Sequence, residues 1–84
     1  MKLDSSRALQ KKIYEILNEI NEEILSYDGE NMFDDGLIDS FQAVDLINEL
    51  EDAFDIEIDA SYVTEENLKT KEAIVAMVEK IMEM

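Results

Sequence analysis

Ser40 stands between Asp39 and Phe41 in "DDGLIDSFQAVDLINELEDAF" (residues 34–54), where a helical pattern of apolar residues begins. A nucleophilic serine needs a neighbouring base, usually His. This chain has no His and no Cys. Lys69 and Lys71 could serve in principle, but both sit in a polar linker. Carboxylates abound, yet acid–base work needs two acids of opposed environment in a cleft, and 84 residues leave little room for one. A calcium loop fails on spacing. With Gly36 at loop position 6, Phe33 and Gln42 fall where acidic ligands belong, and with Gly29 there, Ile24 falls at the first ligand position. Loose association of divalent cations with the acidic face is the most the pattern allows.

A hydroxyl at a helix N-terminus faces free backbone N–H groups and the positive end of the helix dipole, which suits a phosphate. Ser40 therefore reads as a residue that is acted upon. Ordinary capping by Asp39–Ser40 is the competing reading of the same two residues.

The elements that must position Ser40 follow from periodicity. Asp4, Ser5 and Ser6 are N-cap candidates for a first helix, with the stripe Leu9, Ile13, Ile16, Leu17, Ile20 and Ile24 and an end near Leu25 or Ser26. Residues 26–38 hold both glycines, Gly29 and Gly36, and read as a long loop pinned by Met32, Phe33, Leu37 and Ile38. The second helix starts at Asp39 or Ser40, and with Asp39 as N-cap, Gln42 completes a capping box. Its stripe is Ala43, Val44, Ile47, Leu50 and Phe54, with Leu46 on the flank. At about 100° per residue, Phe41 falls on the polar arc, either facing water or folded back over the loop. "DIEID" (55–59) reads as an extended linker with Ile56 and Ile58 inward. Residues 61–67 form a short third helix with Tyr62 and Val63 inward, and Thr70 caps a last helix with the stripe Ala73, Ile74, Met77, Val78 and Ile81. The expected fold is an all-α four-helix bundle, three longer helices and one short, with a long loop after the first, in a single domain over 1–84.

Charge narrows the partners. Twenty-two acids against seven bases give a net charge of −15, and residues 13–68 carry no base at all. Such a surface repels nucleic acid and anionic membranes and attracts basic protein patches, the latter in a salt-dependent way. No apolar run approaches a membrane span and no signal peptide is visible, so a cytoplasmic monomer that does not insert into a membrane is expected. Without Cys there are no disulfides or thiolate metal sites.

The segment "GLIDSFQAVDLINELEDAFDIEI" (36–58) resembles the phosphopantetheine attachment segment of acyl and peptidyl carrier proteins. Asp39 and Ser40 match the family's Asp-Ser, and Gly36 its upstream glycine. Val44, Leu46, Ile47, Leu50 and Phe54 match its apolar offsets, and Asp45, Glu51 and Asp52 its acids. The resemblance implies a 4′-phosphopantetheine transferred from coenzyme A to Ser40 by a phosphopantetheinyl transferase that brings its own base and Mg²⁺. Acyl or aminoacyl groups would ride on the arm as thioesters, loaded by an activating ligase and passed to acyl-transfer enzymes, so the chain itself would not be an enzyme. Asp39 would cap the helix and help the transferase bind. Asp45, Glu49 and Asp52 would meet basic patches on partners, Phe41 would be the apolar contact, and Asn48 belongs to the same face. Fatty-acid carriers usually have Leu where Phe41 stands, an acid in place of Gln42 and an apolar residue in place of Asn48. "GLIDS" is thus closer to D-alanyl and peptidyl carriers, while fatty-acid, polyketide and peptide pathways stay open. If the family's shelter for an acyl chain exists here, Val44, Leu46, Ile58, Tyr62 and Val63 are its candidate lining. The alternative to a carrier is an unmodified acidic helical adaptor for a basic partner.

Overall fold

A computed structural model describes the backbone of residues 2–83 and the side chains of residues 7–83. The elements in order are α1 (Lys2–Ile20), a 3-10 turn (Glu22–Ser26), α2 (Ser40–Phe54), a 3-10 turn (Ala60–Tyr62), α3 (Glu65–Leu68) and α4 (Lys71–Met82). This is the expected all-helical arrangement of three longer helices and one short. Among the described residues, none of the helices is long and apolar enough to cross a membrane.

α1 packs against both α2 and α4, and α3 leads into α4. Ile13, Leu17, Ile24, Met32, Leu46, Leu50, Leu68, Ile74 and Val78 are fully buried where these helices meet. Among the described residues nothing polar or charged is buried, so the hydrophobic effect works without a desolvation cost from ions.

Several boundaries differ from the sequence expectation. α1 already runs from Lys2, upstream of Asp4, Ser5 and Ser6, so none of them starts it. Whether their side chains cap anything lies outside the described residues. The helix ends at Ile20 and not near Leu25 or Ser26. Asn21 turns to extended backbone (φ −163°, ψ 112°) and its side chain accepts the Glu23 N–H, opening the 3-10 turn. A short polar side chain that can bond its own backbone competes with continued helix. Ile24 keeps its place in the core from the 3-10 turn.

In α2 the buried face is Ala43, Leu46, Ile47 and Leu50, with Phe54 half-buried. Val44, assigned to the stripe, is 56% exposed, and Leu46, assigned to the flank, is fully buried. The reason is geometric: Leu46 lies three residues after Ala43 and four before Leu50, its stripe neighbours, whereas Val44 shares a face with Phe41 and Asn48. Val63, expected inward, is 38% exposed because the chain leaves the second 3-10 turn there. Leu68, unassigned in the sequence reading, fills the core from α3 instead.

The 55–59 linker is stapled to α2. Asp55 takes the left-handed conformation (φ 53°), its N–H and that of Ile56 bond to the Glu51 carbonyl, and the Glu51 carboxylate accepts the Ile58 N–H at 2.8 Å. Ile58 is thereby turned into the core, with Ile56 packed at its edge.

Leu46→Ala is expected to destabilise the fold by about 2–5 kcal/mol. Val44→Ala should stay within about 0.5 kcal/mol of the parent. Urea unfolding of the two variants measures this, and equal losses would contradict the packing of α2.

Candidate functional site

The loop before α2 is built on side chains. The Tyr27 hydroxyl accepts the Asn31 N–H at 2.8 Å and donates to the Asp35 carboxylate at 2.6 Å. A Cβ at Gly29 would fall inside the Tyr27 phenol, so only glycine fits beneath the ring. The Asn31 side chain accepts from Phe33 N–H at 2.9 Å and closes the next turn. Met32 is fully buried; its N–H donates to the Lys69 carbonyl at 2.8 Å and its carbonyl accepts the Leu37 N–H at 2.9 Å. Gly36 turns the chain with φ +78°, a value that favours glycine. Phe33 and Leu37 pack on the core and Ile38 is buried, as the sequence indicated.

Ser40 is delivered by this loop as the first residue of α2, and its side chain is exposed. Asp39 caps the helix: its carboxylate accepts the Gln42 N–H at 2.9 Å, and the Gln42 side chain accepts the Asp39 N–H at 3.1 Å. The first turn of α2 holds no acid. The N–H groups of a helix's first residues have no intrahelical acceptor, so an anionic group on the Ser40 oxygen meets the positive end of the dipole. The residues present fit a phosphodiester there. The amines weighed as bases have other duties. Lys71 donates to the Tyr27 carbonyl at 3.1 Å and pairs with Glu72 at 3.2 Å, and Lys69 lies 3.5 Å from Glu66.

Beside Ser40, Phe41 is 85% exposed. It faces water and does not fold over the loop. Asp45, Asn48, Glu49 and Asp52 are all exposed along the same helix. Sequence reasoning missed Val44 on this surface. It follows Ser40 by four residues and Phe41 by three, a spacing that could have placed it there. Glu51, grouped with the family's acids, is half-buried and serves the Ile58 N–H, so its carboxylate is part of the scaffold. α2 carries no base in its last turn, which leaves its acidic face unneutralised from within. Among the described residues no group of three or more His, Cys, Asp or Glu is arranged to hold a metal ion. The five residues expected to line a shelter are not gathered together: Leu46 and Ile58 are packed in the core, Tyr62 lies at its edge, and Val44 and Val63 face solvent.

Residues 7–78 match the family model described as the phosphopantetheine attachment site. A D-alanyl carrier protein of Lactobacillus acidophilus is 39% identical over 70 residues, covering 82% of this chain and 89% of the relative. Another from Leuconostoc mesenteroides is 35% identical over 75 residues (88% and 96%), and one from Listeria welshimeri is 33% identical over 76 residues (88% and 97%).

Asp39→Ala should lower stability by about 1 kcal/mol through loss of the cap, with Asp39→Asn close to the parent; thermal unfolding of both checks this. Partial burial, and then the hydrogen bond to Asp35, push the Tyr27 phenol above its usual pKa. The folded chain holds that proton more tightly than the unfolded chain, so this contribution is complete below about pH 10 and is lost as pH rises through the folded-state pKa. Tyr27→Phe should flatten the alkaline limb of the stability–pH curve, and an unchanged limb would assign it to other groups.

Proposed function

The chain belongs to the phosphopantetheine-binding carrier protein family, whose cofactor is a covalently attached 4′-phosphopantetheine, and from that membership we propose that Ser40 bears the arm and that the cargo is an activated D-alanyl group. The observation that carries this reading is the exposed Ser40 hydroxyl at the uncluttered N-terminus of α2, in a chain whose relatives over most of its length are D-alanyl carriers. The arm supplies the thiol that the sequence lacks. The base for attachment comes from the transferase, which explains a reactive-looking serine with no His beside it.

The pathways left open by the sequence are no longer equal. The relatives' names favour D-alanylation, and fatty-acid synthesis and lipid metabolism find no support among them. The exposed positions of Val44 and Val63 agree with a small cargo that needs no shelter. The partners in this proposal are a phosphopantetheinyl transferase, a ligase that activates the amino acid, and an acceptor-side transferase. Each would bring a basic patch to Asp45, Glu49 and Asp52 and an apolar spot to Phe41, with Asn48 between them. Such charge-steered contacts form fast and release fast, as suits a protein that must visit each enzyme in turn. A cytoplasmic monomer comprising one domain completes the reading.

Incubation with coenzyme A, Mg²⁺ and a broad-specificity phosphopantetheinyl transferase should add one phosphopantetheinyl group to the parent and none to Ser40→Ala, read by intact mass. Supplied then with ATP and a D-alanine-activating ligase, the product should gain D-alanine. A gain on Ser40→Ala would move the attachment site. No gain on a folded parent would favour the unmodified acidic adaptor, in which Ser40→Ala would leave function intact.

A further inference from the structure

Asn21 stands where α1 ends, and each part of it is engaged. Its N–H donates to the Leu17 carbonyl at 2.9 Å, the last bond of the helix. Its Oδ1 accepts the Glu23 N–H at 3.0 Å and opens the 3-10 turn. Its Nδ2 donates to the Leu37 carbonyl at 2.8 Å, in a part-buried contact between residues sixteen apart in sequence. Leu37 is therefore held on both main-chain groups, since its N–H bonds to the Met32 carbonyl.

This double hold lies two residues before the cap Asp39 and three before Ser40. Immediately upstream, Gly36 is in open space: a Cβ there would meet nothing within 4 Å. The backbone entering α2 thus has open space beside Gly36, whose N–H bonds to the Phe33 carbonyl at 3.2 Å, and is held on both main-chain groups at Leu37. Ser40 is exposed, so the position of its hydroxyl is inherited from the backbone and not from packing of its own side chain.

We infer that Asn21 is a positioning residue for the modification of Ser40: by holding the Leu37 carbonyl it sets where the N-terminus of α2 presents the hydroxyl to the transferase. This rests on the reading of Ser40 as the attachment residue. A carrier molecule whose Ser40 segment is in the arrangement that fits the transferase reacts as the parent does, so the hold acts on how often that arrangement is populated. Without the Asn21 amide, the segment 37–40 samples other arrangements. The competent one is then only partly populated, and apparent affinity for the transferase falls by that fraction.

A simpler role would confine Asn21 to capping the 3-10 turn. The two roles use different atoms and can be separated. Asn21→Asp keeps an oxygen for the Glu23 N–H but turns an acceptor toward the Leu37 carbonyl. Asn21→Ser keeps a capping hydroxyl on a side chain too short to span to Leu37. Steady-state phosphopantetheinylation would be measured with each variant as the varied substrate, at a temperature where circular dichroism shows it folded. Both variants should show KM for the carrier raised about tenfold with kcat within about twofold, together with faster amide exchange at Leu37. If only capping matters, melting temperatures shift while KM, kcat and Leu37 exchange stay at parental values, and the inference is overturned. Should Asn21→Asp fail to fold, Asn21→Ser decides the matter alone. Absence of modification on the parent would instead remove the attachment reading, a result distinguishable from equal kinetics of parent and variants.

Discussion

Met32 holds the long connection between α1 and α2 against the rest of the bundle. Its side chain is fully buried, its N–H reaches the Lys69 carbonyl ahead of α4, and its carbonyl receives Leu37. One residue thereby joins the end of α3, the floor of the core and the entry to α2. A connection this long would carry a large ordering cost if it hung free. Here the cost is offset by burial of Met32 and Ile38 and by a set of local bonds around Tyr27 and Asn31. The stiffness of that loop is what allows an exposed serine to have a definite place.

The charge distribution depends on the same separation of inside from outside. With −15 on 84 residues, every buried position among those described is apolar, and the acids are left to repel one another across the surface. Several carboxylates are nonetheless used structurally: Asp39 caps α2, Glu51 staples the following linker, Asp35 accepts the Tyr27 hydroxyl and Asp59 caps the second 3-10 turn. The remaining acids of α2, Asp45, Glu49 and Asp52, stay exposed. Phe41 and Val44 add an apolar edge to that face close to Ser40. In the proposed carrier role, such a mixture would give fast, salt-sensitive encounter from the charges and register from the apolar contact.

Much of this was legible in the sequence because it rests on local rules. The capping box needs only Asp and Gln three residues apart, and it formed as spaced. Helical phase put Phe41 on the polar arc, and the structure decides that it faces water instead of folding over the loop. Three long helices, a short one and a loop anchored by Met32 and Ile38 followed from apolar periodicity and the two glycines. The core assignments that failed did so at helix edges. Val44 and Leu46 are both apolar and two residues apart, and the sequence stripe placed the wrong one inside. Val63 lost its place to Leu68 because a 3-10 turn, shorter than a helix, changed the phase of what followed.

Residue types and spacing were enough to establish an acidic helical chain with no His to act as a base and a capped serine at the head of its most acidic long helix. They could not specify what holds that serine in space. Asn21 looks like an unremarkable helix residue until its amide is seen on Leu37, and Glu51 like one more surface acid until it meets Ile58. Tyr27 gives no hint of Asp35, nor Met32 of Lys69. Each pairing joins groups eight to thirty-seven positions apart, or in the case of Glu51 and Ile58 seven, across a change of chain direction. Periodicity reports which face of an element is buried, but not which backbone group across a turn will be left needing a partner. That need arises only once the helices are packed and the loop is closed over them.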